Sequence, residues 1–222
     1  MKRADPKTTE SEISYERLHE AILSGELLPH ERLIETELAE RFGVGRAAIR
    51  TALARLEQDG LVEHEPHRGA KVRAISEQEA IEILEVRSVL EGLIARYAAI
   101  NATLHDLHAL QTITTTMEQE LANGDLLRIS ELNSQFHDQL LKMARHQTTE
   151  RLLERLRPHH VRYEYRTILM PGRAPHSLEE HRQILTALTN HDPDAAEQAM
   201  RTHLRHVVEA LRTTILIKQS RR

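Results

Sequence analysis

Between Ile34 and Gly60 two amphipathic helical segments are separated only by Gly43-Val44-Gly45. In the first, Ile34 to Phe42, Leu38 and Phe42 stand one turn apart and Gly43 supplies the stop. In the second, Arg46 to Asp59, the apolar residues Ala47, Ile49, Leu53 and Leu56 recur at helical spacing until Gly60. Helix, short turn, helix is the helix-turn-helix pattern, and it sets the expectation for everything around it.

Upstream, residues 1–10 form a polar lead that the composition predicts to be disordered, and Ile13, Leu18, Ile22 and Leu23 then mark a helix that stops at Gly25. Downstream the rhythm changes. Leu61 to Glu65, a Pro66-His67-Arg68-Gly69 turn and Ala70 to Arg73 read as two short strands joined by a hairpin, a wing beside the helices.

At Ser76 a capping box, Ser76-x-x-Glu79, opens a long helix, and helical periodicity continues to the end. Breaks fall near Asn101, Gly124, Ala144 to Gln147, Pro171-Gly172 and Asp192-Pro193, giving about six helices. Ser177-x-x-Glu180 reads as a further capping box, and Asp192 as an N-cap followed by proline. With 3% aromatic residues, no Trp, 8 Gly and 7 Pro, the composition also favours helices. The expected fold is mainly α: a winged helix-turn-helix over 11–75, then an all-helical antiparallel bundle over 76–222 for effector binding and dimerisation.

The absence of cysteine excludes disulfides, thiolate zinc sites and cysteine nucleophiles, and it fits a reducing cytoplasm. No stretch approaches the roughly 18 apolar residues of a membrane span, so no membrane partner is expected. A net charge of -4 requires that any contact with nucleic acid come from a local patch. Such a patch exists: Arg41, Arg46, Arg50 and Arg55 are interrupted by no acidic residue between Arg41 and Leu56. Arg46 and Arg50 lie one turn apart at the start of the second helix, where a guanidinium fork suits guanine O6/N7 or a phosphate. The hairpin adds His67, Arg68, Lys71 and Arg73, diluted by Glu63 and Glu65.

The 15 histidines are the other departure from an ordinary composition. Asn133 and His137 fall inside the apolar stripe Ile129, Leu132, Phe136, Leu140; His181 lies between Leu178 and Ile184; His203 lies between Met200 and Val207. Three inward-facing imidazoles need partners, either hydrogen bonds within a polar core or one shared cation. Three neutral imidazoles and an amide oxygen suit a borderline divalent ion, Zn²⁺ first, then Ni²⁺ or Mn²⁺, with positions left open. Arg87, on the inward track Ile83, Arg87, Leu90, Ile94, demands an anion, either an internal Glu or the carboxylate of a ligand. Arg162 and Arg166 are weaker candidates for the same role.

Two sets of residues resemble known families. Leu38-Ala39-Glu40-Arg41-Phe42-Gly43-Val44-Gly45-Arg46, Arg50-x-Ala52-Leu53-x-x-Leu56-x-x-x-Gly60-Leu61-Val62 and Arg68-Gly69-x-x-Val72 are similar to GntR-family winged helices. Asn133-x-x-Phe136-His137, Ser177-Leu178-x-x-His181-x-x-Ile184 and Ala199-Met200-x-x-His203-Leu204 resemble the FCD effector domain. The first resemblance implies that Arg46 and Arg50 contact DNA, with Gly45 and Ala47 beside them, and that His67, Arg68 and Gly69 approach the minor groove. Gly45 and Ala47 depart from the common Ser or Thr and Thr, and Thr36 from a common Arg, so the operator sequence does not carry over.

The second resemblance implies that Asn133, His137, His181 and His203 bind a metal whose coordination a small organic acid completes. A symmetric homodimer that represses transcription from a double-stranded operator is the expectation, with a second apolar stripe on the last helix, Leu204, Val208, Leu211 and Ile215, as dimer surface. The rival class is a metal-dependent hydrolase or lyase of small carboxylates carrying a DNA-binding appendage. It lacks an evident general base, because no Glu or Asp falls in an inward stripe beside the histidines, although Asp138 and Glu180 are adjacent to them in sequence.

Overall fold

A computed structural model describes residues 9–65 and 68–220, apart from the side chains of 157–166 and 217–220. The disorder expected of the polar lead and the position of His67 fall outside the described residues, except at 9 and 10. The side chains of Arg162 and Arg166 do so as well. The chain divides after Ile75 into two compact units.

In the first unit the elements run α1 (Glu10–Ser24), β1 (Arg32–Leu33), α2 (Glu35–Phe42), α3 (Arg46–Gln58), β2 (Val62–Glu65) and β3 (Gly69–Val72). Helix α1 begins inside the polar lead, because the Thr9 side chain accepts a hydrogen bond from the backbone N–H of Glu12 and caps it. Gly43, at φ 66°, takes the left-handed conformation that ends α2, and its N–H returns to the carbonyls of Ala39 and Glu40. Leu18, Ile49, Leu53 and Leu56 are fully buried where α1 crosses α3, so α3 is fixed by its apolar face.

The wing is a three-stranded antiparallel sheet, ordered β1-β3-β2, rather than a simple hairpin. Strand β1 pairs Arg32 with Lys71 and Leu33 with Ala70. A two-residue strand has no period to read, which is why the sequence does not announce it.

The second unit is α4 (Glu77–Asn101), α5 (Leu104–Asn123), α6 (Leu126–Ala144), α7 (Gln147–Ile168), α8 (Arg173–Thr189) and α9 (Pro193–Ser220). Ser76 caps α4 by accepting from the N–H of Glu79, and Thr103 with Asp106 forms a reciprocal capping box on α5. Helices α4 and α9 pack along each other, α6 and α8 close the bundle around them, and Phe136, Leu140, Ile184, Leu188 and Met200 fill its core. No helix among the described residues is long and apolar enough to cross a membrane.

Two expectations are corrected. Ser177-x-x-Glu180 is not a helix start: α8 begins at Arg173, and both Ser177 and Glu180 are buried inside it. The spacing of a capping box cannot be told from two polar residues turned inward in mid-helix. The apolar stripe of α9 is not a free dimer surface either, since Leu204, Val208 and Leu211 are buried within the chain.

Leu188 sits in the bundle core, whereas Leu127 is exposed. Leu188→Ala is therefore expected to lower the unfolding free energy by about 2–5 kcal/mol and Leu127→Ala by less than about 0.5 kcal/mol, as read from denaturant midpoints.

Candidate functional site

Helices α6, α8 and α9 each turn one histidine into the same space. One nitrogen from each of His137, His181 and His203 lies within 4.8 Å of the others. The ring centroids are separated by 5.6 Å (His137 to His181), 5.4 Å (His137 to His203) and 4.7 Å (His181 to His203). His181 is 1% exposed and His203 2%. Phe136 closes one side, its ring 4.6 Å from that of His181.

Two of the three rings are held from behind by carboxylates. His137 Nδ1 lies 2.7 Å from Glu91 Oε2 on α4, and His203 Nδ1 lies 2.7 Å from Glu180 Oε2 on α8. A carboxylate oxygen only accepts, so each Nδ1 carries the proton and donates it, which leaves the Nε2 lone pair free. That is the orientation a histidine takes when it ligates a metal through Nε2. His181 differs: neither ring nitrogen makes a hydrogen bond of normal geometry, although both are buried. A buried imidazole without a partner is costly, and a cation shared with its neighbours is the natural remedy.

The electrostatics favour neutral ligands. Burial pushes His181 well below its ordinary range, helped by the nearby charges of His203, His137 and Arg173. Burial likewise brings His203 down to about 4 against the pull of Glu180. Burial alone would raise the Glu180 carboxyl, but the hydrogen bond and charge of His203 together with Arg173 outweigh it and bring the group down to about 2. Because His203 is neutral near pH 7, Arg173 is the cation that keeps Glu180 ionised there.

The carboxylates correct the expectation that no acid stands beside the histidines. Both are buried, and both are committed. Glu91 takes the Arg87 guanidinium, with Arg87 Nη2 2.6 Å from Oε1, so Arg87 finds its anion inside the chain. Glu180 accepts from Arg173 Nη2 at 2.8 Å and from the half-exposed His206 at 2.8 Å, besides His203. Carboxylates engaged on two sides act as anchors for the rings rather than as free general bases.

Beside the cluster is a cavity of about 50 Å³, lined by Arg87, Ser130, Asn133, His137, Arg173 and His203 among others. Asn133, one turn before His137, also lines a smaller space of about 10 Å³ beside His181. Arg173, 9% exposed, reaches this region with Nη1 unpartnered. Sequence spacing alone does not single out Arg173, whose one signal is a basic residue just after the Pro171-Gly172 break.

In the first unit the predicted DNA-reading residues Gly45, Arg46, Ala47, Arg50, Arg68 and Gly69 are all exposed. The side chains of Arg46 and Arg50 are 63% and 65% exposed. Glu35, the first residue of α2, meets both: Arg50 Nε lies 3.1 Å from Oε1, Arg50 Nη2 2.9 Å from Oε2, and Arg46 Nη2 3.8 Å from Oε2. Gly45 has no side chain to cap α3, and its N–H donates to Glu10 Oε2 at 3.3 Å instead. In the wing, Lys71 is tied to Glu63 and Glu65, and Arg68 lies 3.8 Å from Glu65.

Residues 11–72 match the family of bacterial regulatory proteins named for gntR, and residues 82–206 match the FCD domain. The chain is a GntR-family transcription regulator with an FCD domain. It is 30% identical over 201 residues, 89% of each chain, to the uncharacterized HTH-type transcriptional regulator YdhC of Bacillus subtilis. It is 29% identical over 198 residues, 89% of this chain and 87% of the other, to the HTH-type transcriptional repressor RspR of Escherichia coli. The solved structure of E. coli McbR/YncC has the same fold, with a TM-score of 0.74 at 22% identity over 93% of this chain and 99% of that one. The relatives are regulators, so this GntR/FCD chain is a regulator and not an enzyme.

Glu180→Ala would leave Arg173 buried without its anion and release His203. The expected loss of stability is about 3–5 kcal/mol, seen as a lowered denaturant midpoint, whereas Glu209→Ala on the exposed face of α9 should cost less than about 0.5 kcal/mol.

Proposed function

We propose that this GntR/FCD regulator is a homodimeric repressor whose hold on a double-stranded DNA operator is set by a small organic acid bound beside a divalent ion in the second unit. The observation that carries the reading is His181: it is buried, neither ring nitrogen makes a hydrogen bond of normal geometry, and it faces two imidazoles turned by carboxylates to present Nε2. A polar core held by hydrogen bonds alone would have satisfied that ring.

His137, His181 and His203, with the Asn133 side-chain oxygen, would hold the ion. Their neutral nitrogen donors suit Zn²⁺ foremost and Ni²⁺ or Mn²⁺ after it, and the ion would supply a Lewis-acidic anchor for a carboxylate. Arg173 Nη1 supplies the second contact for the acid, because it is cationic, buried and unpartnered beside the cavity. Arg87 lines the same space but is already neutralised by Glu91, so it orients His137 through that carboxylate and lends positive potential. A cavity of about 50 Å³ suits an acid of a few heavy atoms.

Repression is supported by the relative RspR, a transcriptional repressor. Dimerisation is supported by α4, where Val86, Val89, Tyr97 and Ile100 are exposed at helical spacing with Leu93 half-buried between them, an apolar face of the kind a second copy covers.

The metal is tested by elemental analysis after loading with Zn²⁺ and dialysis. The wild type should retain about one ion per protomer, with His181→Ala retaining at least tenfold less; equal, negligible content in both proteins would overturn the metal reading. Short hydroxy- and keto-acids should raise the melting temperature of the Zn²⁺-loaded wild type and not of Arg173→Ala, since only the state that binds is stabilised. Arg50→Ala should weaken operator binding by about 10–100-fold while melting and metal content stay unchanged, read by anisotropy of labelled duplex.

A further inference from the structure

The DNA-reading unit carries less positive charge than its task suggests. Residues 1–75 hold 12 Lys and Arg against 14 Asp and Glu, a net of -2, and the arginines of α3 all sit beside carboxylates: Arg46 and Arg50 beside Glu35, Arg55 beside Glu12. Most of these are the loose surface pairs expected on any charged face. The pairing of Arg50 with Glu35 has a more specific geometry, because it is bidentate and engages one edge of the guanidinium, Nε and Nη2.

A guanidinium has five N–H donors arranged on two usable edges. Glu35 takes the side edge through Nε–H and one Nη2–H. Both Nη1 protons and the second Nη2 proton remain, and together they form the end-on fork that matches guanine O6 and N7. The flexible stem of Arg50 is thereby held in one direction before any DNA arrives, so less side-chain freedom is lost on contact. The same carboxylate lies within 3.8 Å of Arg46 Nη2, so a phosphate approaching either arginine meets a negative charge already in place.

We propose that Glu35 is a positioning residue for sequence selectivity: it aims the end-on fork of Arg50 at a base edge and discourages Arg50 and Arg46 from settling on phosphates. The base edge of a guanine is uncharged and presents two acceptors, so it gains from an aimed fork and suffers little from the nearby carboxylate. A phosphate can take the same fork, but its negative charge is repelled by the Glu35 carboxylate. Glu35 therefore separates the two classes of contact, one carrying sequence information and the other none. The inference rests on Arg46 and Arg50 being the groups that meet DNA. Arg50→Ala tests that separately, since retained binding in Arg50→Ala would refute the contact itself whatever Glu35 does.

Two labelled duplexes serve as probes at one fixed ionic strength: one enriched from a random-sequence pool by the full-length wild type, and one of the same composition with its order scrambled. Glu35→Gln keeps the shape of the side chain and removes its charge. It is expected to bind the scrambled duplex several-fold more tightly and the enriched duplex no more tightly, so that the ratio of affinities falls by about tenfold.

In an Arg50→Ala background the same change should leave the ratio unaltered, because the fork it aims is gone. Arg50→Lys keeps the charge without the fork, and its ratio should already be low and insensitive to Glu35→Gln. Equal changes on both duplexes, no change on either, or a fall in the ratio that persists without Arg50 would each overturn the proposal. A merely structural role for Glu35 would lower the melting temperature and weaken both duplexes together.

Discussion

The second unit depends on a buried carboxylate, Glu180, that ties α8 to α9. Its two oxygens take Arg173 from the start of α8 and His203 and His206 from α9, so one buried carboxylate fixes the relation of two helices and the tautomer of a candidate ligand. Glu91 does the same between α4 and α6 through Arg87 and His137. Buried ions are stable only when they are paired, so the network either exists whole or is costly. Its completeness at Glu91 and Glu180 throws into relief the two places where it is open, His181 and Arg173 Nη1. Arg173 adjoins the cavity of about 50 Å³ and His181 the smaller space of about 10 Å³, and Asn133 and Ser177 line both.

The first unit solves a different electrostatic problem. A reader of DNA gains affinity from phosphates and information from bases, and a net negative unit gives up much of the former. Ile49, Leu53 and Leu56 of α3 are buried together with Leu18 of α1, which fixes α3 in the unit. Its exposed face then displays a few arginines among carboxylates rather than a continuous basic surface. In the role proposed for Glu35, selectivity from such a face depends on how each guanidinium is aimed, which hydrogen-bond geometry sets.

Much of this was legible in the order of residues. The Gly43 stop, the apolar repeats on either side and the capping residues Ser76 and Asp192 mark elements through local rules, and the described elements follow them. The inward histidines were visible because each interrupts an apolar stripe at helical spacing. Their carboxylate partners were not: Glu180 has the spacing of a helix cap, and Glu91 is 46 residues from the histidine it orients. The stripe of α9 was readable as apolar but not as already covered, since covering depends on α4.

The sequence by itself determined which segments are helical, that two units exist with different chemistry, and that three imidazoles turn inward, because periodicity, caps and composition act over a few residues and do not depend on what packs opposite. Only the tertiary structure decided that those imidazoles share one space, that Arg87 is neutralised while Arg173 is not, and that Glu35 grips the side edge of Arg50. Those facts depend on the distances between side chains from separate helices, and such distances are set by how the apolar faces pack, which spacing along the chain does not encode.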